Sequence, residues 1–190
     1  FFFKQKTAYE IVDCDWSSDV CSSDLTKFVF PVSDLPGILQ SVSSDYRALV
    51  VAGTRLSKYE TLYYDTADFD LYHRHHVGRS NRFKVRSRRY VESDLCFFEV
   101  KYRNNKGRTI KNRIRTPLIE DHISENPARL LGELTNLDPA KLQGTIWVNY
   151  QRATLVSKTT AERLTLDLAL TFRTAHRSID RKSTRLNSSH

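Results

Sequence analysis

The sequence predicts an α+β chain in which an antiparallel β-sheet bends into a barrel, with helices on its outside or at its ends. Three observations carry that expectation. From Asn81 the apolar pattern takes a period of two and keeps it through NRFKVRSRRY, LCFFEVKYR and TIKNRIR, as half-buried strands require. The junctions SD and NNKG are short and polar, which makes the three segments a hairpin-connected meander. Other strand-like runs lie on both sides of the meander while helical stretches are few, the signature of a bent antiparallel sheet. An open sheet is the competing architecture.

The elements follow in order. TKFVFPV, from Thr26, reads as a short strand ending at Pro31, and SDLPGILQSVSSDY as a short helix with Ser33 as its cap. RALVVAG is a buried-strand run closed by Gly53, and YETLYYDT is a strand ending in turn-forming Asp65 and Thr66. ADFDLYHRHHV reads as a short helix. Strands are expected at Arg82 to Val91, Leu95 to Arg103 and Thr109 to Arg115. In ENPARLLGELTNLDPAKLQ, Asn126-Pro127 and Asp138-Pro139 each set a cap residue before a proline suited to a first helical turn. IWVNYQRATLV and ERLTLDLALTF close the series. In the last of these, Leu164, Leu166, Leu168, Leu170 and Phe172 are expected on one face, with Arg163, Thr165, Asp167 and Arg173 on the other.

The two ends do not pattern like a folded domain. DWSSDVCSSDL, ending at Leu25, and DRKSTRLNSSH, from Asp180, read as in-frame translations of the two ends of a sequencing-library adapter. Residues 1–25 and 180–190 are therefore expected to be adapter-derived, leaving 26–179 as one domain, truncated at its ends. The head holds two lysines against five acids and the tail three basic residues against one, so the formal charge of +8 originates between them. Cys14 and Cys21 fall in the head, leaving Cys96 as a core thiol; no disulfide or cysteine metal cluster is possible within 26–179. No apolar run approaches the ~18 residues of a membrane span. A reducing, cytoplasmic setting fits.

Charge is concentrated. Between Arg79 and Arg115 stand thirteen Lys or Arg against three acids. Strand alternation puts Arg82, Lys84, Arg86 and Arg88, then Lys101 and Arg103, then Lys111, Arg113 and Arg115 on one face. Phe83, Val85, Cys96, Phe98, Val100, Ile110 and Ile114 take the opposite face and must be buried. Burial against outer helices turns the cations inward; burial in a barrel core leaves them on the surface. Like charges opposite one another repel, so the face needs an anionic partner or solvent. A base-stacking nucleic-acid surface would mix aromatics with the cations, whereas Phe83, Phe98 and Tyr102 alternate away from them; a ligand that is nearly all phosphate fits better, and no nucleic acid is expected. Glu99 shares the cationic face, either as an ion-pair partner or as a holder of a divalent cation riding on phosphate oxygens; Asp167 allows the same two readings. Of His73, His75 and His76, only the first and last share a helix face, and no acid completes a metal set.

The string YETLYYDTADFDLYHRHHVGRSNRFKVRSRRYVESDLCFFEVKYRNNKGRTIKNRI resembles the catalytic domain of the vacuolar transporter chaperone (VTC) family, the polyphosphate polymerases of the triphosphate tunnel metalloenzyme (CYTH-like) superfamily. The likeness runs from Lys27 to about Arg173. It implies an antiparallel β tunnel, here incomplete at its C-terminus, whose inward faces bind ATP, triphosphate and polyphosphate. Residue by residue it implies catalytic roles for Arg86 and Arg88 of the RxR strand, Lys101 of the ExK strand and Lys111 of the next. Lys27 and Arg163 match further phosphate ligands, Arg173 matches less closely, and Lys84 and Arg113 extend the cationic field. It also implies transfer of the ATP γ-phosphate onto a growing chain with Mn2+ or Mg2+. The family's metal-binding glutamate lies on later strands, so Glu99 is a subsidiary candidate here and the fragment is expected to be inactive. A non-catalytic polyphosphate or inositol-phosphate binding module, or a tunnel triphosphatase or cyclase, is the alternative.

Overall fold

The computed structural model describes residues 28–106 and 108–175. Thr26 and Lys27 lie outside that range, and residues 28–31 do not form a strand. Helix α1 (Leu35–Val42) begins after a single 3-10 turn and takes no side-chain cap from Ser33, whose hydroxyl instead bonds Asp34. Strand β1 is only Tyr46–Ala48, because the chain turns back on itself in a Val51/Thr54 bridge, with Ala52 and Gly53 at positive φ.

The remaining elements are β2 (Leu56–Asp65), α2 (Asp70–His76), β3 (Arg82–Tyr90), β4 (Leu95–Arg103), β5 (Thr109–Thr116), α3 (Glu125–Leu134), β6 (Gln143–Ser157) and β7 (Arg163–Thr174). Every pairing is antiparallel. β6 organises the sheet: β2 and β1 lie end to end along one of its edges, and β7 takes the other. From β2 the sheet continues through β3 and β4 to β5. Among the described strands β5 and β7 do not pair, so the antiparallel sheet curls into a half-barrel whose edges are not joined.

One face of this sheet is sealed by helices. Leu62 and Tyr64 of β2, Val85 of β3, and Phe98 and Val100 of β4 pack with Leu71 of α2, Leu131 of α3 and Leu142. Each such side chain contributes roughly 1.5–3 kcal/mol on burial. Asp65 fixes α2 on the sheet: its Oδ1 accepts from the Thr66 and Leu71 amides (2.8 and 2.9 Å) and its Oδ2 from Tyr72 (2.9 Å), satisfying donors that a helix start leaves open. Helix α3 starts two residues earlier than Asn126-Pro127 suggests, with Ser124 at the N-cap. Asp138 caps a 3-10 turn through the Ala140 amide. Of the two burial geometries open in the sequence, the apolar face is the helix-covered one. The cations therefore line the other face.

Candidate functional site

Cross-strand register arranges the cations as rungs. Arg82 pairs with Arg103; Lys84 with Lys101 and Lys111; Arg86 with Glu99 and Arg113; Arg88 with Phe97 and Arg115. Successive rungs are two residues apart, about 6.6 Å. Lys84, Lys101, Arg103 and Arg115 are exposed, while Arg88 is buried and Arg86, Lys111 and Arg113 are half-buried.

Glu99 ties the second and third rungs together. Its side chain is 1% exposed, with Arg86 Nε and Nη2 at 2.6 and 2.5 Å from Oε2 and Lys111 Nζ at 2.7 Å from Oε1. Burial alone would raise the carboxyl pKa, but Arg86 and Lys111, helped by Arg88, bring it down to about 2. Lys111 is pushed below the usual lysine value because its own burial outweighs the attraction of Glu99. Arg86 is further held by donating from Nη1 to the Tyr63 hydroxyl at 3.2 Å. Burial works against ionisation of that phenol, yet Arg86 and Arg88 outweigh it and leave the Tyr63 pKa lowered. Arg88 is held differently: Nε donates to Thr61 Oγ1 at 3.1 Å, its one hydrogen bond among the described residues.

The structure adds residues to this face that the sequence reading passed over. Tyr59 and Tyr150, cross-strand neighbours on β2 and β6, stack 5.0 Å apart at 6°. The Arg88 guanidinium lies 5.4 and 5.7 Å from their centroids, and that of Arg152 5.2 and 5.0 Å. Arg152 is clamped by Asp167 through Nε (2.6 Å) and Nη2 (2.7 Å), which favours its charged form despite burial. On β4, Phe97 shares the face and carries Arg113 at 4.2 Å. Aromatics thus do share the cationic surface, contrary to the expectation drawn from Phe83, Phe98 and Tyr102. Their ring faces bear on one another and on guanidiniums, however, which makes them a bed for arginines in place of a base-stacking platform.

The other expected site residues divide clearly. Lys84, Arg86, Arg88, Lys101, Lys111 and Arg113 come together on the three-stranded meander. Arg163 takes the same face of the sheet at the far end of β7, opposite Val156. Arg173 does not join them. Between Leu168 and Thr171 the β7 register slips past Asn149 and Gln151, with Ala169 at φ 50°; one extra residue inverts the alternation. Arg173 consequently pairs with Trp147 and lies 5.6 Å over its ring, on the helix-covered side, while Phe172 turns to the cationic side and is 65% exposed. Lys27 lies outside the described residues. Cys96 is buried and accepts from Thr116 Oγ1 at 3.3 Å. Among the described residues no three His, Cys, Asp or Glu gather to hold a metal. Glu99 and Asp167 are each engaged by cations, so these two carboxylates do not fit a divalent ion.

The stacked cation rungs make one face of this helix-backed antiparallel sheet strongly electropositive. The chain belongs to the VTC domain family, whose model matches residues 23–189. No curated protein matches it significantly. Among solved structures it is similar to a candidate adenylate cyclase from Bacillus halodurans, with 11% identity, 76% of this chain and 79% of that chain covered, and a TM-score of 0.46. It is also similar to a Hippeastrum adenylyl cyclase candidate described as having a dominant triphosphatase activity, with 12% identity, 89% and 80% coverage and a TM-score of 0.41. Among the described residues no helix is long and apolar enough to cross a membrane.

Proposed function

We propose that this is a polyphosphate polymerase domain, which moves the γ-phosphate of ATP onto a polyphosphate chain lying along the cationic face. The carrying observation is the ladder of cations over β3, β4 and β5, with Glu99 as its one buried counter-charge. Phosphoryl transfer asks little covalent chemistry of a protein; it asks for positioning and for neutralisation of charge spread over oxygens. Arg88 supplies an unspent guanidinium fork for one phosphate. Lys101 and Lys111 stand two rungs from Arg88 to meet the transferring group, and Arg86, on the rung between, is fixed in place by Glu99 and Tyr63 as part of the field. Membership of the VTC domain family supports the reading.

Glu99 and Asp167 are committed to arginine and lysine and are not available to a metal. That same commitment favours a second reading, in which the chain binds polyphosphate without turning it over. Incubation with ATP and Mn2+ tests the first reading: polyphosphate formation supports the polymerase and overturns the inactivity expected of the fragment, whereas bound but unchanged ATP fits both the inactive fragment and the binding module. Competition tests the phosphate reading against nucleic acid. Short polyphosphate should displace RNA at far lower concentration than RNA displaces polyphosphate; the reverse order contradicts it.

A further inference from the structure

The β7 bulge sets an aromatic ring where unbroken alternation would have set a cation. Ala169 takes φ 50°, uncommon and costly for a residue with a β-carbon, and the extra residue exchanges the sides of Phe172 and Arg173. Bulges re-aim side chains and are over-represented beside active sites. The ring has apolar neighbours. Phe172 pairs with Val148, and Ile146, two residues along β6, shares that face. Ile146 is in turn the cross-strand partner of Tyr63, and Tyr63 of Arg86. The face therefore passes from the cation ladder of β3 across β2 to an apolar strip on β6 and β7. Phe172 is 65% exposed, while Ile146 and Val148 are half-buried. Unlike Tyr59, Tyr150 and Phe97, whose rings bear arginines, Phe172 carries no guanidinium among the described residues.

We propose that Phe172, with Val148 and Ile146, forms a nucleobase subsite, which holds the base of a nucleoside triphosphate whose phosphates lie on the Arg86 and Arg88 rungs. This rests on the phosphate reading of the site given above. A nucleoside triphosphate is anionic at one end and aromatic at the other, with a sugar between. The face presents the same two characters in the same order: at ~4.8 Å per strand, Val148 and Phe172 lie about 10 and 14 Å along the sheet from β3. Stacking on the Phe172 ring and contact with the two aliphatic side chains remove apolar area from water. None of the three side chains can donate or accept a hydrogen bond, so the base is held by its ring face and not by its edge. Linear polyphosphate has no base and gains nothing from the strip. The subsite thus distinguishes the nucleotide donor from the polyphosphate acceptor.

The test is calorimetric titration of ATP and of tripolyphosphate into the full chain and into its F172A and F172W variants. Because Phe172 is exposed, neither substitution should alter the melting temperature. ATP affinity should fall on the order of tenfold in F172A with tripolyphosphate affinity intact, and F172W should bind ATP as tightly as the unaltered chain. The added emission of F172W should be quenched by ATP and not by tripolyphosphate. Unchanged ATP affinity in F172A, or an equal loss of both ligands, overturns the subsite. So does an indole in F172W that iodide cannot reach before ligand is added, since another segment of the chain would then cover the ring. Failure of the unaltered chain to bind tripolyphosphate would instead refute the phosphate reading, whereas intact tripolyphosphate binding with an indifferent F172A refutes the nucleobase subsite alone.

Discussion

Glu99→Gln isolates the electrostatic design of the site, because glutamine keeps the volume and removes only the charge. Glu99 is 1% exposed and contacts Arg86 and Lys111 at 2.5 to 2.7 Å. Removing one member of such a buried cluster leaves its partners uncompensated, a cost of about 3–5 kcal/mol. The pKa displacement gives a similar figure. A fall from 4.5 to about 2 corresponds to about 3 kcal/mol of preference for the ionised carboxylate in the folded state. Since the folded pKa is depressed, that stabilisation is fully present above the ordinary carboxylate pKa and disappears as pH falls toward about 2. Urea denaturation should show the variant about 3–5 kcal/mol less stable near pH 7, with the gap closing as pH drops from about 5. A variant as stable as the unaltered protein at pH 7, or a gap indifferent to pH, would refute the account of Glu99 as the counter-charge of the cluster.

Two further substitutions test the register and the packing. Arg173→Ala should leave triphosphate binding unchanged in calorimetry, because the β7 bulge puts Arg173 over Trp147; a marked loss would place it back on the cationic face. Gly144→Ala should destabilise the fold by about 1–3 kcal/mol in thermal or urea melts, because a Cβ there would lie 2.8 Å from Leu62 Cδ2 and 3.0 Å from the Asp121 carbonyl. Neutral behaviour would mean that β2 and β6 are less closely apposed.

The meander was legible because each of its strands alternates without interruption. The expected segments Arg82 to Val91, Leu95 to Arg103 and Thr109 to Arg115 agree with β3, β4 and β5 to within a residue, and their cationic face follows from alternation alone. The β7 bulge was not legible. Ala169 takes a positive φ with no glycine or asparagine to announce it, so simple alternation put Phe172 and Arg173 on the wrong sides. The Tyr59, Tyr150, Arg88 and Arg152 cluster was hidden for another reason: it depends on the pairing of β2 with β6, whose partners are remote in sequence. A local signal did exist. Tyr59, Thr61 and Tyr63 alternate onto one face of YETLYYDT, and Tyr150 and Arg152 onto one face of NYQR. At the N-terminal end, β-branched and aromatic content suggested a strand at Thr26 to Pro31, but residues 28–31 are not in a strand; propensity alone does not make one.

The central claim is that the rungs containing Arg86 and Arg88 bind linked phosphates. Calorimetric titration of tripolyphosphate into the full chain and into its R86A/R88A variant tests it most directly. Salt-sensitive binding to the unaltered chain and its abolition in the variant are expected; equal affinity in the two proteins would refute phosphate binding at these rungs.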